Sequence, residues 1–215
     1  MTQDLSCPLC QSIQNARFHH DHKRPYLQCQ TCQLVFVPPH EYISTTEEHH
    51  EYLLHENNPD DGGYRRFLSR LTQPLTSNLK PASKGLDFGC GPGPTLHLIM
   101  SDHGHTMHLY DIFFHKDKSV LNEKYDFITA TEVVEHIHHP SDVISQLWSL
   151  LNIGGYLAIM TKLVIDQEAF SRWHYKNDPT HVCFYSIETF NWLAKELNAE
   201  IEFIDRDVIF LRKAE

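Results

Sequence analysis

Four of the six cysteines fall into two pairs, Cys7-Pro-Leu-Cys10 and Cys29-Gln-Thr-Cys32, with eighteen residues between them. Each pair can form a tight knuckle whose thiolates converge, and two knuckles complete a tetrahedral four-thiolate site. The expected metal is zinc. Iron is the main rival for the same ligand set. A closed four-thiolate site has no open position, so this metal should hold structure. His19, His20 and His22 are read as solvated loop residues, and Cys90 and Cys183 are left over.

A second chemical signal is the stretch Leu86-Asp87-Phe88-Gly89-Cys90-Gly91-Pro92-Gly93. Its glycines let a backbone turn sharply and approach a ligand closely, with the N–H groups of a helix start behind it. A dinucleotide fingerprint would need its third glycine at position 94, where Pro94 stands. Asp111 ends the next apolar run, where a carboxylate can accept hydrogen bonds from both hydroxyls of a ribose. Two histidine-bearing segments follow, Glu132-Val-Val-Glu135-His136 and the stretch from Trp173 to His181, which includes Tyr175 and Asp178. Histidine titrates near pH ~6.5 and suits proton transfer.

The elements that must position these groups are legible as a pattern. KGLDFGC is a short apolar strand, PTLHLIMSDHG a helix, HTMHLYD a second strand and YDFITATE a third. PSDVISQLWSLLNIGG is predicted as a helix closed by glycines, and YLAIMTKL as a strand. Ser186 should cap the helix IETFNWLAKELN, and AEIEFID with VIFLRK should close the chain as a hairpin. Strand–helix alternation ending in a hairpin implies an α/β doubly wound, Rossmann-like sheet with an antiparallel edge strand, behind a small N-terminal zinc ribbon. The expected divisions are a ribbon over 1–39, a linker and lid helix over 40–80 and a catalytic domain over 81–215. Residues 40–63 read as polar and irregular. Phe67, Leu68, Leu71 and Leu75 follow helical spacing, with Pro74 bending or ending that helix.

LDFGCGPG, then LYD, then YDFITATEVVEHI, then LLNIGGYLAIMT resemble the successive motifs of class I S-adenosylmethionine-dependent methyltransferases, over roughly residues 60–215. The resemblance implies that Asp87, Gly89, Gly91 and Gly93 surround the methionine part of the cofactor and that Asp111 holds the ribose. Thr131 and Glu132 would line the cleft, and Arg65 could pair with the cofactor carboxylate. Only fourteen residues separate Asp111 from Asp126, so the usual second helix and third strand must be shortened or nearly lost. Asp117 and Glu123 are the nearest candidates for the adenine contact.

Methyl transfer needs an aligned acceptor, exclusion of water and, for oxygen or carbon acceptors, removal of a proton. The segment 173–181 resembles the acceptor-side loop of small-molecule members, with His181 ahead of Phe184-Tyr185-Ser186. His181 is the leading candidate base, with His136 and Asp178 beside it. Glu132, Glu135 and His136 could instead hold a divalent metal. Tyr52, His55 and Asn57 are candidate lid residues.

Composition narrows the partner. The net charge is −10, but residues 1–40 carry +1 and the remainder −11. So negative a surface repels phosphate backbones and counts against a large nucleic-acid footprint. No run approaches the ~20 apolar residues of a membrane span, and the start lacks the pattern of a secretory signal, so the expected compartment is the cytoplasm. The expected function is methyl transfer to a small molecule. The alternatives are a ribosomal RNA methyltransferase that uses the ribbon for RNA contact, and an inert cofactor-binding scaffold.

Overall fold

The computed structural model describes residues 5–54 and 57–214. The cysteine module supplies strands β1 (Asn15–His20), β2 (Pro25–Cys29) and β3 (Val35–Phe36). Helices α1 (Thr45–Leu53) and α2 (Gly62–Asn78) follow. Next come β4 (Lys84–Phe88), α3 (Leu96–Asp102), β5 (Thr106–Tyr110) and β6 (Tyr125–Thr131). The chain then forms α4 (Pro140–Leu150), β7 (Leu151–Met160), α5 (Gln167–Ser171) and β8 (Cys183–Phe184). It closes with α6 (Ile187–Glu196), β9 (Ala199–Asp205) and β10 (Val208–Lys213).

The large sheet has the order β5-β4-β6-β7-β10-β9. Its first four strands are parallel, and β10 runs antiparallel to both β7 and β9. Strand residues alternate between two cores, which is why the strands read as continuous apolar runs. Val208 and Phe210 pack with Leu68, Leu71 and Leu75 of α2 and with Ile99 and Met100 of α3. Ile209 and Leu211 face the opposite core, with Ile144 and Leu147 of α4 and Phe190 and Leu193 of α6.

Several local expectations change. Helix α2 continues through Pro74 to Asn78. Its apolar stripe on the sheet outweighs the hydrogen bond lost at proline, a cost of about 3 kcal/mol in an unsupported helix. The segment read as irregular contains α1, started by a capping box in which Ser44 accepts from the Glu47 amide and Glu47 accepts from the Ser44 amide. The glycines at 154 and 155 lie inside β7, which begins at Leu151; they do not close α4. Gly155 sits where a Cβ would come within 2.9 Å of two backbone oxygens. Between Asp111 and Tyr125 there is one 3-10 turn, Lys118–Asn122, and no third parallel strand.

The cysteine module does not stand apart. Strand β3 pairs with β8, so a strand from residues 183–184 completes its four-stranded sheet. Its buried residues, including Tyr26, Phe36 and Val37, share one core with Phe184 and Tyr185.

Candidate active site

Parallel strands open a crevice at their carboxyl ends. A cavity of about 620 Å³ lies there, lined by residues that follow β4, β5 and β6 and by parts of α1 and the 173–181 loop. At one end, Gly89 and Gly91 adopt positive φ (74° and 66°), a conformation that suits glycine. A Cβ at Gly89 would press within 2.5 Å of Val133, and one at Gly93 within 2.3 Å of the Asn57 carbonyl oxygen. Asn57 therefore lies directly on the glycine loop, and Gly93→Ala should displace it.

Asp111 is held from three sides. The Gly91 amide donates to Oδ2 at 3.0 Å, and the Phe113 and Phe114 amides donate to Oδ1 at 2.8 and 3.1 Å. This fixes its carboxylate at the cavity wall. Gly89, Gly91, Asp111, Thr131 and Glu132 all line the cavity. Asp87 lies buried behind the loop, accepting from Thr129 Oγ1 at 2.8 Å. Burial, with Asp111 adding repulsion, pushes its carboxyl up to about 7.

Arg65 is not at the cavity: it donates to Asp102 at 2.9 Å on the exposed side of α3. Tyr64 and Phe67 of the same helix do line the cavity, because helical spacing turns Arg65 away from them. Glu123 is committed to Lys84 at the start of β4, and Asp117 caps the 3-10 turn through the Ser119 amide, so neither contacts the cavity. Ile112, Phe113 and Phe114 form the wall there instead. Of the candidate lid residues, Tyr52 and Asn57 line the cavity, while His55 lies outside the described residues. His49 of α1 stacks on Phe113 at 4.8 Å between ring centroids, packing this helix over the loop after β5.

The other end brings His136, Asp178 and His181 together. His181 is buried, and its Nδ1 lies 2.8 Å from the Tyr175 carbonyl oxygen. A carbonyl only accepts, so Nδ1 carries the proton and Nε2 the lone pair. Burial holds this imidazole below its ordinary pKa, against the opposing pull of Asp178 3.7 Å away. Burial pushes Asp178 up, but hydrogen bonds from Thr180 and electrostatic attraction to the two imidazoles outweigh it and hold the carboxyl low. His136 lies edge-on to His181, with centroids 4.5 Å apart. Thr180 gives its hydroxyl proton to Asp178, so the same oxygen accepts from His136 Nδ1 at 2.9 Å.

Two features were not foreseen from sequence. The Tyr175 hydroxyl bridges two carboxylates, Glu132 and the fully buried Glu135. Arg24, from the cysteine module, is also buried and donates to the carbonyl oxygens of Lys176, Asp178, Pro179 and His181 at 2.7–3.0 Å. Lys176 pairs with Asp21, and Lys23 donates to the Asn177 carbonyl. The cysteine module thus grips the loop that carries His181. These contacts span some 150 residues of chain, and no local pattern announces them.

In the module itself the four sulfurs converge. Cys7 and Cys32 are 3.5 Å apart and Cys10 and Cys29 3.4 Å, with no disulfide, and all four lie within 4.8 Å of one another. That arrangement fits one tetrahedral ion.

No similar protein was found among those with curated descriptions. Among solved structures, the fold is similar to an O-methyltransferase family protein from Burkholderia thailandensis (TM-score 0.51, 13% identity, 78% of this chain and 63% of that one). It is also similar to magnesium protoporphyrin IX methyltransferase from Synechocystis PCC 6803 with bound SAH (TM-score 0.52, 15% identity, 80% and 95%). The chain thus spans under two thirds of the Burkholderia protein's length. These likenesses concern the fold. Residues 61–202, about two thirds of the chain, match a family described as a methyltransferase domain. By that match the chain belongs to the class I S-adenosylmethionine-dependent methyltransferases.

Proposed function

We propose that this enzyme transfers a methyl group from S-adenosylmethionine to a small-molecule acceptor bound against His136, Asp178 and His181. The observation that carries this reading is one cavity with the glycine loop and Asp111 at one end and the histidine pair at the other. The sulfonium supplies the electrophile, so the protein has to align the acceptor, exclude water and deal with the acceptor's proton. Tyr52, Phe113 and Tyr64 give apolar walls for exclusion of water. The His181 lone pair is the group aimed at the proton. The strongly acidic charge outside the cysteine module disfavours an RNA substrate. Among the described residues no helix is long and apolar enough to cross a membrane. Six unpaired cysteines suit the cytoplasm, where thiols stay reduced.

A screen of radiolabelled methyl transfer against metabolite pools and ribosomal RNA tests the acceptor class. Turnover of RNA alone would defeat the small-molecule reading. Calorimetry should show binding of S-adenosylmethionine and none of NAD. Asp111→Ala should weaken cofactor affinity about ten- to hundredfold, since a charged hydrogen bond is worth roughly 1.5–3 kcal/mol. Unchanged affinity would remove Asp111 from the site.

The ribbon metal is proposed to be one zinc per chain on Cys7, Cys10, Cys29 and Cys32. Elemental analysis of purified protein should give one zinc and no stoichiometric iron. Cys29→Ser should abolish zinc retention. It should also impair turnover more than cofactor binding, because Arg24 ties the module to the His181 loop and not to the glycine loop.

A further inference from the structure

We propose that the methyl acceptor is an organic cation, whose charged nitrogen is held by the Glu48 carboxylate at the α1 side of the cavity. The inference rests on the methyltransferase reading and adds the acceptor's charge to it. Glu48 is the buried residue of α1, only 7% exposed, and it lines the cavity. The capping box fixes the start of that helix, and the stacking of His49 on Phe113 pins the same turn against the loop after β5. Tyr52, four residues on, comes to the same helix face, and its hydroxyl donates to Glu48 Oε1 at 2.8 Å.

That bond comes from a neutral phenol. None of the ion pairs among the described residues includes Glu48. A carboxylate buried without a cation is costly, and a ligand that brings one relieves the cost. The rest of the cavity wall does not supply it. Besides Glu48 the wall carries Asp111, Glu132 and Asp178, and no lysine or arginine among the described residues. Two of its histidines, His138 and His181, are held below their ordinary pKa by burial, so they are neutral at pH 7. A phosphate, sulfate or carboxylate on the acceptor would meet repulsion here and find no partner. An ammonium finds Glu48, and the rings of Tyr52 and Phe113, with centroids 5.6 Å apart, offer faces that attract a cation.

The position of Glu48 leaves the chemistry free. Tyr52 lies edge-on to His136, with centroids 5.4 Å apart, and His136 lies edge-on to His181. The side chains thus run Glu48, Tyr52, His136, His181 along the wall. An acceptor anchored by its cation at Glu48 presents a different atom to the His181 lone pair. The charge of −11 outside residues 1–40 also draws cations toward the enzyme and slows the approach of anions.

A metabolite extract of the source organism, split by ion exchange at pH 7 into cationic, neutral and anionic pools, supplies the probes. The full zinc-loaded chain is incubated with each pool and with S-adenosylmethionine labelled in its methyl group. Label should enter the cationic pool. There, Glu48→Gln should lower transfer at limiting acceptor about ten- to hundredfold. Transfer at saturating acceptor, and cofactor affinity by calorimetry, should change little. Glu48→Asp should restore part of the loss and Glu48→Lys none. Label confined to the neutral or anionic pool overturns the cationic acceptor and leaves the methyltransferase reading standing. Transfer to the cationic pool that ignores Glu48→Gln overturns the role of Glu48. Label in no pool, or in ribosomal RNA alone, defeats the small-molecule reading together with this one.

Discussion

His181→Ala should lower turnover by about 10²–10⁴-fold while leaving S-adenosylmethionine affinity nearly unchanged. The expectation follows from where the ring sits. Its Nδ1 is tied to the Tyr175 carbonyl, it is surrounded by Tyr175, His136 and Asp178, and it reaches the cavity opposite the glycine loop. The lone pair on Nε2 is what acts on the proton. Because the side chain is buried, the alanine variant leaves a cavity, and some loss of stability is expected with it. Two measurements separate chemistry from packing. Cofactor affinity should survive, and added imidazole, small enough to enter the space, should restore part of the turnover. A variant that loses cofactor binding and turnover in parallel, with no imidazole rescue, would make His181 structural.

The residues behind this prediction differ in how readable they were. Gly89, Gly91 and Asp111 could be read directly, because a strand–turn–helix joint needs glycine at positive φ and an acidic strand end is chemically conspicuous. The sheet was readable for a similar reason: short, nearly continuous apolar runs must be buried on both faces. Helix α1 was missed although Ser44 and Glu47 stand at capping-box spacing, because its nine residues carry almost no apolar stripe. The start of β7 was misplaced because glycines more often end helices than open strands; here Gly155 is required by close backbone approach from Asn152 and Asp126. Arg65 was a reasonable candidate by type, but one residue of helical rotation sends it to Asp102 and brings Tyr64 to the cavity. Glu135 and Tyr175 each stood in a segment singled out by its residue types, but nothing in the sequence announced that the Tyr175 hydroxyl meets the Glu135 carboxylate. A buried carboxylate is defined by what folds over it, and that comes from the loop after β7.

Arg24→Ala should cost at least about 1–3 kcal/mol of stability, the penalty for leaving buried acceptors unpaired, and should depress turnover further than that loss of stability explains. The guanidinium is planar and presents five N–H donors in a fixed fork. Here it reaches the carbonyls of Lys176, Asp178, Pro179 and His181, and its Nε also meets the Tyr26 hydroxyl at 3.2 Å. Together these bonds hold residues 176–181, two of which, Asp178 and His181, line the cavity. Without Arg24, four carbonyls lose a shared donor and the loop is free to shift, and a displacement of about 1 Å at the reacting groups can cost on the order of 10²-fold in rate. Arg24→Lys should rescue little, since a single ammonium offers three donors from one point and cannot span the four oxygens. Urea denaturation gives the stability change. Turnover measured well below the unfolding transition, with cofactor affinity as the control, gives the functional one. The outcome that would defeat this account is an Arg24→Ala enzyme that is less stable yet turns over at the normal rate, for then the module would support the fold without positioning the chemistry.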